Sequence, residues 1–376
     1  MAQLSRILFL GLLALASSAL AMELEYVGHF NVPIQQEFKS TTIGALSGLV
    51  SEDNGKKFWV VSGDRSKFGE PRIYEYKLQM QPKSKKQPFV MKPLQVVTLS
   101  VNQSESAHQS TKSKPEVFSP VIDLKAISLL PWGDFLVSNT GDLNRKPWVL
   151  PQILDVKKDG TIVREFTVPA VFLPDKAVKQ TKGLKGHLTF EGIAAFPDGK
   201  TWLVAAEGAL VQDHPGIRRL VVYHSSAAWK LEPKEQYIYP IETRNSGSID
   251  FPRGISDIVF IGPTKFLSLE RVIVITPAGP EFQVEIFECD LGSATDVSLH
   301  ESLPLLPTPI DSTKMVSKKL VLKLSSLRKK IGPIENFEGI ALGPTLSDGQ
   351  RTVLLVSDDN FMRNLRTQFL MLSIKE

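Results

Sequence analysis

The feature that most constrains this chain is a hairpin phrase that recurs along it. Glu335-Asn-Phe-Glu-Gly-Ile340 leads into the apolar run Thr352-Val-Leu-Leu-Val356, which stops at Ser357-Asp-Asp-Asn360. The same order appears earlier: Phe190-Glu-Gly-Ile-Ala-Ala-Phe196, a turn at Pro197-Asp-Gly199, then Thr201-Trp-Leu-Val-Ala-Ala-Glu207. Each copy is two short apolar strands around a Gly, Asp or Pro turn, the chemistry a β-hairpin requires.

Three weaker copies follow from those two. The first is Ala45-Leu-Ser-Gly-Leu-Val50 with Phe58-Trp-Val-Val61 and Ser62-Gly-Asp-Arg65. The second is Val121–Leu130 with Phe135-Leu-Val137 and Ser138-Asn-Thr-Gly-Asp142. Another is Gly254–Phe260 with Lys265–Leu269 and Glu270-Arg271. Alternating, β-branched segments lie between copies, such as 71–77, 152–156 with 161–166, 218–223, 281–287 and 319–324. Their pattern predicts strands rather than helices. Four strands per unit, repeating every roughly 60–90 residues, predict an all-β propeller of four-stranded blades. Five blades account for the chain; a sixth in 77–120 or 291–334 is the alternative. A pair of β-sandwiches would leave the repeated hairpins unexplained. The expected ring closes when the N-terminal strand, Leu24–Phe30, becomes the outer edge of the blade that ends with Gln368–Ile374, so that no sheet edge is left open.

Arg6 followed by the apolar run Ile7–Ala16 and by Ala19-Leu-Ala21 reads as an export signal over residues 1–21. The remainder, 22–376, is then a single propeller domain, expected to be exported to the periplasm or beyond, with no membrane-spanning segment and as a monomer. Removing Arg6 lowers the formal charge from +4 to +3, too small a value to argue for nucleic acid as a partner. Cys289 is the sole cysteine, so no internal disulfide forms, and its alternating neighbours predict a buried strand position. Residues 79–92 and 102–116 read as solvated loops, 303–318 as a proline-rich connector, and 325–330 as a short helix. Trp59, Trp132 and Trp202 fall at matching places and are expected to pack between blades.

In a propeller the inner strands line one channel, so equivalent positions become neighbours. One expected set of channel residues starts the inner strands: Glu191 and Glu338, with Ser47, Asp123 and Arg253 near equivalent places. A second follows the second strands: Asp64, Asp142, Glu207, Glu270, Asp358 and Asp359. Crowded carboxylates suit a hard cation such as Ca²⁺ or general acid–base hydrolysis. Interleaved Arg65, Arg271, Arg253, Arg218 and Lys185 would pair with them or grip an anionic substrate. His187 and His214 are candidates for the same rim, and Ser47 is a weaker candidate nucleophile. No zinc, nucleotide-loop or Gly-x-Ser-x-Gly signature is present.

The runs at 190–207 and 336–361, together with Leu46-Ser-Gly-Leu49 and Val61-Ser-Gly-Asp-Arg65, resemble the phytase-like family of exported propellers labelled "esterase-like activity of phytase". The first copy departs from that family's usual Ser-Asp-Asp-Arg, since Gly63 replaces one acid. The resemblance implies a metal-dependent, Ca²⁺-using hydrolase of phosphoric or other esters. Carried over, Glu191, Glu338, Arg65 and Arg271 would act on a small anionic or ester substrate, and Asp64, Glu207, Glu270, Asp358 and Asp359 would hold metal. The alternative is a non-catalytic propeller that binds a ligand or protein through the same rim.

Overall fold

The computed structural model describes residues 22–84, 86–101, 123–144, 148–175, 179–226, 230–242, 252–277, 279–308 and 311–375. The expected signal segment 1–21, the loop 102–116 and part of the 303–318 connector lie outside these residues.

Five antiparallel four-stranded blades form the molecule. From the channel outward, blade 1 comprises Leu46–Glu52, Lys57–Ser62, Arg72–Met80 and Phe89–Thr98. Blade 2 comprises Leu124–Leu129, Phe135–Asn139, Gln152–Val156 and Thr161–Phe166, with the short strand Ser100–Val101 added in parallel at its edge. Blade 3 is Phe190–Ala195, Thr201–Ala206, Ile217–Ser226 and Lys230–Pro240. Blade 4 is Gly254–Phe260, Lys265–Thr276, Gly279–Asp290 and Ser317–Lys323. Blade 5 takes Asn336–Leu342, Thr352–Asp358 and Gln368–Lys375 from the C-terminal end, and Glu23–Asn31 from the N-terminal end as its outer strand. The ring therefore closes by the expected exchange of termini.

The described strands in the stretches proposed for a sixth blade belong to these five. Phe89–Thr98 is the outer strand of blade 1 and Ser317–Lys323 that of blade 4. The loop expected over 79–92 is correspondingly shorter, because Arg72–Met80 and Phe89–Thr98 pair almost to their turn. The expected short helix forms as a 3₁₀ turn at Leu324–Leu327 running into Arg328–Ile331.

The core is interfacial, as two-faced blades demand: each sheet buries both faces against its neighbours. Trp59 and Ile73 of blade 1 pack with Phe135 and Leu154 of blade 2. Trp202 and Tyr223 of blade 3 meet Leu136 and Ile153 of blade 2. Similar clusters join blades 3 and 4, 4 and 5, and 5 and 1. The indole expectation is met: half-buried Trp132 packs against the cluster that joins blades 2 and 3, and the other two indoles lie in the interfaces themselves. Trp59 lies 4.9 Å from the Phe135 ring across the interface, and Trp202 donates its Nε1–H to the carbonyl of Leu129 at 3.2 Å. Cys289 is buried on a blade 4 strand, and its thiol is pushed up to about 12 by burial; no nucleophile is offered there.

Candidate functional site: a charged ring at the channel mouth

All five inner strands carry a one-residue bulge at the same place. The register slips between Leu46 and Leu49, Leu124 and Ile127, Phe190 and Gly192, Ile255 and Asp257, and Phe337 and Gly339. A bulge puts two residues opposite one and re-aims their side chains. The bulged pairs are Ser47-Gly48, Lys125-Ala126, Glu191-Gly192, Ser256-Asp257 and Glu338-Gly339.

The second member of each pair is where neighbouring inner strands touch. A Cβ on Gly48 would stand 2.4 Å from the carbonyl oxygen of Lys125, and one on Gly339 2.4 Å from that of Ser47. Glycine is required there by close backbone approach rather than by φ. Blade 4 places Asp257 at this level instead. Its carboxylate accepts the N–H groups of Ile258 and Ile340, each at 2.9 Å, and bonds the backbone of Ile193, so it bolts three blades together.

The first members form the ring, with Arg271 and the acids that follow the second strands. The Ser47 hydroxyl donates to Glu338 Oε2 at 3.2 Å. Lys125 Nζ is 3.3 Å from Glu338 Oε2 and 4.0 Å from Glu191 Oε2. The Arg271 guanidinium is 3.4 Å from Glu338 Oε1 and 3.2 Å from Glu207 Oε1, and its Nε reaches the Ser256 hydroxyl at 3.4 Å. Asn336 donates to Glu338 Oε1 at 2.8 Å. Asp358 is buried and coupled electrostatically to Glu338 and Lys125. Four carboxylates thus share two cations in a narrow, mostly enclosed space.

That shortage divides the acids. Burial pushes Glu191 well above the usual carboxylate range, and Glu207 and Glu338 add to it against the pull of Lys125. Burial likewise raises Glu207 against Arg271, and raises Asp358 with help from Glu338. Glu338 goes the other way: burial is outweighed by Lys125, Arg271 and Asn336, which bring it down to about 2. Lys125 is held cationic by Glu191 and Glu338 despite burial. Two glutamates from one sequence phrase are thus shifted in opposite directions by their surroundings, the pattern by which sites separate acid from base roles.

Several expected ring members are placed elsewhere. The positions equivalent to Glu191 are Lys125 and Ser256, two or three residues beyond the expected Asp123 and Arg253. Asp123 instead braces Arg65 (Nε to Oδ2, 3.2 Å), and Arg253 pairs with Glu285 at 2.9 Å. The second acid set mixes four registers. Glu207 and Asp358 are level with Arg271 and reach the ring. Asp64 lies one residue further along and is buried against Arg72 at 2.8 Å. Asp359 caps the N–H groups of Ala45 at 2.9 Å and Phe361 at 3.0 Å. Glu270 lies one residue short and is engaged by Lys318 and the Tyr239 hydroxyl. Asp142 caps the N–H of Asn144 at 2.9 Å in a rim turn. Arg218 is buried on backbone carbonyls, including that of Glu207 at 2.6 Å. His214 accepts the N–H of Gly216 in a local turn.

Of the five acids expected to share a metal, Glu207 and Asp358 reach the ring, whereas Asp64, Asp359 and Glu270 are held by partners of their own. Among the described residues no group of three or more Asp, Glu, His or Cys side chains is disposed to hold a metal ion. A Ca²⁺ ion at the ring would have to displace the amine and guanidinium already between the carboxylates, so the donor set does not fit it. Arg65 and His187 lie on the rim, with Arg65 Nη1 and Asn144 Nδ2 at 3.5 and 3.3 Å from His187 Nε2. Lys125, central to the ring, was absent from the expected residues. Aligning Leu124-Lys-Ala-Ile127 with Phe190-Glu-Gly-Ile193 and Phe337-Glu-Gly-Ile340 finds it.

Fold and ring define a five-bladed propeller with a buried, charge-paired channel mouth. The chain belongs to the phytase-like family, described as "Esterase-like activity of phytase", whose profile matches residues 41–361. No curated protein matches the sequence. Among solved structures, an endo-arabinase from Bacteroides thetaiotaomicron is 8% identical with a TM-score of 0.44, covering 92% of this chain and 97% of its own. An α-L-arabinanase from Cellvibrio cellulosa is 11% identical at 0.40, covering 88% and 92%. The periplasmic gluconolactonase of Pseudomonas aeruginosa is 11% identical at 0.31, covering 80% and 100%. Likenesses this distant carry nothing about chemistry.

Proposed function

We propose that this protein is an exported, monomeric ester hydrolase acting on small anionic, phosphoric-ester-type substrates at the channel ring. The observation that carries the reading is the split between Glu191 and Glu338. A buried carboxyl shifted well upward beside one held down to about 2, with the Lys125 amine between them and the Arg271 guanidinium on Glu338 and Glu207, is equipment for proton transfer next to an anion. The family description supports the ester class.

In this reading Lys125 and Arg271 take the anionic oxygens of the substrate, the charge complement that a fixed guanidinium and ammonium supply. Glu338 and Asn336 keep them in place. Water attacks phosphorus and forms the new P–O bond. As the ester P–O bond breaks, Glu191 gives its proton to the departing alcohol oxygen, and Glu207 takes one from the attacking water. Arg65, 43% exposed at its side chain and braced by Asp123, receives the substrate at the rim. The calcium-dependent form of the reading would need metal to replace Lys125 and Arg271 among the carboxylates.

The rival reading, a ligand-binding propeller without turnover, draws support from enclosure. The Lys125 and Arg271 side chains are only 12% and 17% exposed and are already paired. A hydrolysis panel on residues 22–376 separates the two. Phosphomonoesters, phytate and short carboxyl esters are each offered with Ca²⁺ and with chelator. Phosphate release supports the proposal; release that requires Ca²⁺ selects its metal-dependent form. A folded sample that turns over none of them supports the binding propeller. Amino-terminal sequencing of the exported protein checks cleavage after Ala21.

A further inference from the structure

Three loops meet over the Lys125 side of the mouth. Arg65 comes from the loop that leaves the second strand of blade 1, Asn144 from its counterpart in blade 2, and His187 from the segment that enters blade 3. Arg65 Nη1 lies 3.5 Å and Asn144 Nδ2 3.3 Å from the same atom, His187 Nε2. Asp123 fixes the guanidinium, accepting Arg65 Nε–H at 3.2 Å and the Thr140 hydroxyl at 3.3 Å on Oδ2. The same carboxylate runs beside the Lys125 stem: a Cβ on Gly63 would stand 2.9 Å from Asp123 Oδ1 and 3.6 Å from Lys125 Cδ. Arg65 is held at φ +55°, uncommon outside glycine, while Asp64 accepts the N–H of Ser66 at 2.8 Å.

Donors outnumber acceptors here. Guanidinium and amide nitrogens only donate, so Nε2 must be the bare nitrogen of a neutral imidazole, with its proton on Nδ1. Nδ1 is enclosed and has no partner among the described residues. One lone pair therefore serves two donors, and an imbalance of that kind calls for a physical reason. The charges facing the imidazole are Arg65 and Lys125 of one sign, Asp142 and Asp123 of the other. Burial, and after it Arg65, lowers the pH at which the ring takes its second proton. An oxyanion supplies the missing acceptors, and its charge favours the imidazolium. The Arg65 side chain is 43% exposed and Asn144 is exposed, so ions from solvent reach the place.

We propose that Arg65, Asn144 and His187 form a proton-linked oxyanion site at the channel mouth, where an anion and a proton bind together, and that it is the first stop of the anionic substrate on its way to Lys125. The role as first stop rests on the ester-hydrolase reading; the proton-linked site does not. The test is therefore a binding measurement that needs no turnover, run beside the hydrolysis panel.

The probe is sulfate, whose double charge is constant from about pH 5 to about pH 8, so that any pH dependence belongs to the protein. The His187 imidazole is followed by NMR in residues 22–376 and assigned by its loss in His187→Gln or His187→Asn. Saturating sulfate is expected to raise its midpoint by about 1 pH unit, the low end of what an opposite charge in contact produces. Reciprocity then makes sulfate bind about 10-fold tighter near pH 5 than near pH 8, read calorimetrically. His187→Gln should lose that pH dependence, and Arg65→Met should weaken sulfate at both pH values. A merely structural role for His187 would lower the melting temperature of the variant and leave the wild-type midpoint unresponsive to sulfate. A midpoint that sulfate does not move, or a pH dependence that survives His187→Gln, overturns the site. A sulfate-shifted midpoint without hydrolysis of any ester keeps the site and removes the hydrolase reading. Hydrolysis beside an unmoved midpoint does the reverse, and neither shift nor hydrolysis overturns both.

Discussion

Glu191 and Glu338 occupy the same place in the same phrase, yet neutralising them should change stability in opposite directions. Glu338 falls from the usual 4.5 to about 2 because Lys125 and Arg271 both face it. A depression of that size corresponds to about 3 kcal/mol of stability. It is present above the unfolded-state value near 4.5 and is lost as pH falls toward 2. Glu338→Gln forfeits this and leaves two enclosed cations without their shared carboxylate. Glu191 is shifted upward by burial. A group that holds its proton more tightly when folded costs stability as pH rises above its unfolded value, until the folded group itself ionises. Glu191→Gln removes that cost, so the variant should equal wild type near pH 4.5 and exceed it increasingly above. Urea unfolding followed by tryptophan fluorescence, from about pH 5 to about pH 8, reads both. The expected outcome is a Glu338→Gln deficit of about 3 kcal/mol at neutral pH, beside a Glu191→Gln gain that widens with pH. Two shifts of the same sign, or a Glu338→Gln variant as stable as wild type at neutral pH, would refute the charge division.

Three further outcomes follow from the same geometry. Gly339→Ala places a Cβ 2.4 Å from the Ser47 carbonyl and should cost about 2–3 kcal/mol by pushing blades 5 and 1 apart; the urea midpoint measures it. Asp257→Asn turns one acceptor into a donor facing a backbone N–H, and should cost about 1–3 kcal/mol, read by the same method. Because Lys125 and Arg271 stand among the ring carboxylates, neither Ca²⁺ nor chelator should move the melting temperature. A calcium-induced rise, which a bound ion produces by mass action, would count against that placement.

Blade architecture was legible because it rests on local chemistry. The turns at Pro197-Asp-Gly199 and the apolar runs beside them state a hairpin wherever they occur, and Glu23–Asn31 reads as a strand even far from its partner. The ring was only half legible. Glu191, Glu338, Glu207, Asp358 and Arg271 carry the repeated phrase or follow it directly, and the structure brings them together. Lys125 and Asp257 were missed because Leu124-Lys-Ala-Ile127 and Ile255-Ser-Asp-Ile258 lack the Glu-Gly pair that marks the bulge elsewhere. A bulge adds one residue without any obligatory sequence mark. The bulge is common to all five blades and does not move the second acid set; Glu270, Glu207 and Asp64 looked equivalent because each comes at the end of a second strand, although they stand at successive levels. The partners that draw Asp64 and Glu270 away, Arg72 and Lys318, come from later strands of their own blades. No spacing within the hairpin reveals them.

The central claim is that the ring performs ester hydrolysis with Glu191 as proton donor. Its most direct test is phosphate release from phenyl phosphate by wild type and by Glu191→Gln at matched, verified folding. Wild type is expected to turn the ester over, with activity falling as pH rises through the elevated value of Glu191. Glu191→Gln should lose about 100-fold or more, the usual contribution of a positioned acid. A Glu191→Gln variant as active as wild type, or a folded wild type that releases no phosphate, would contradict the account.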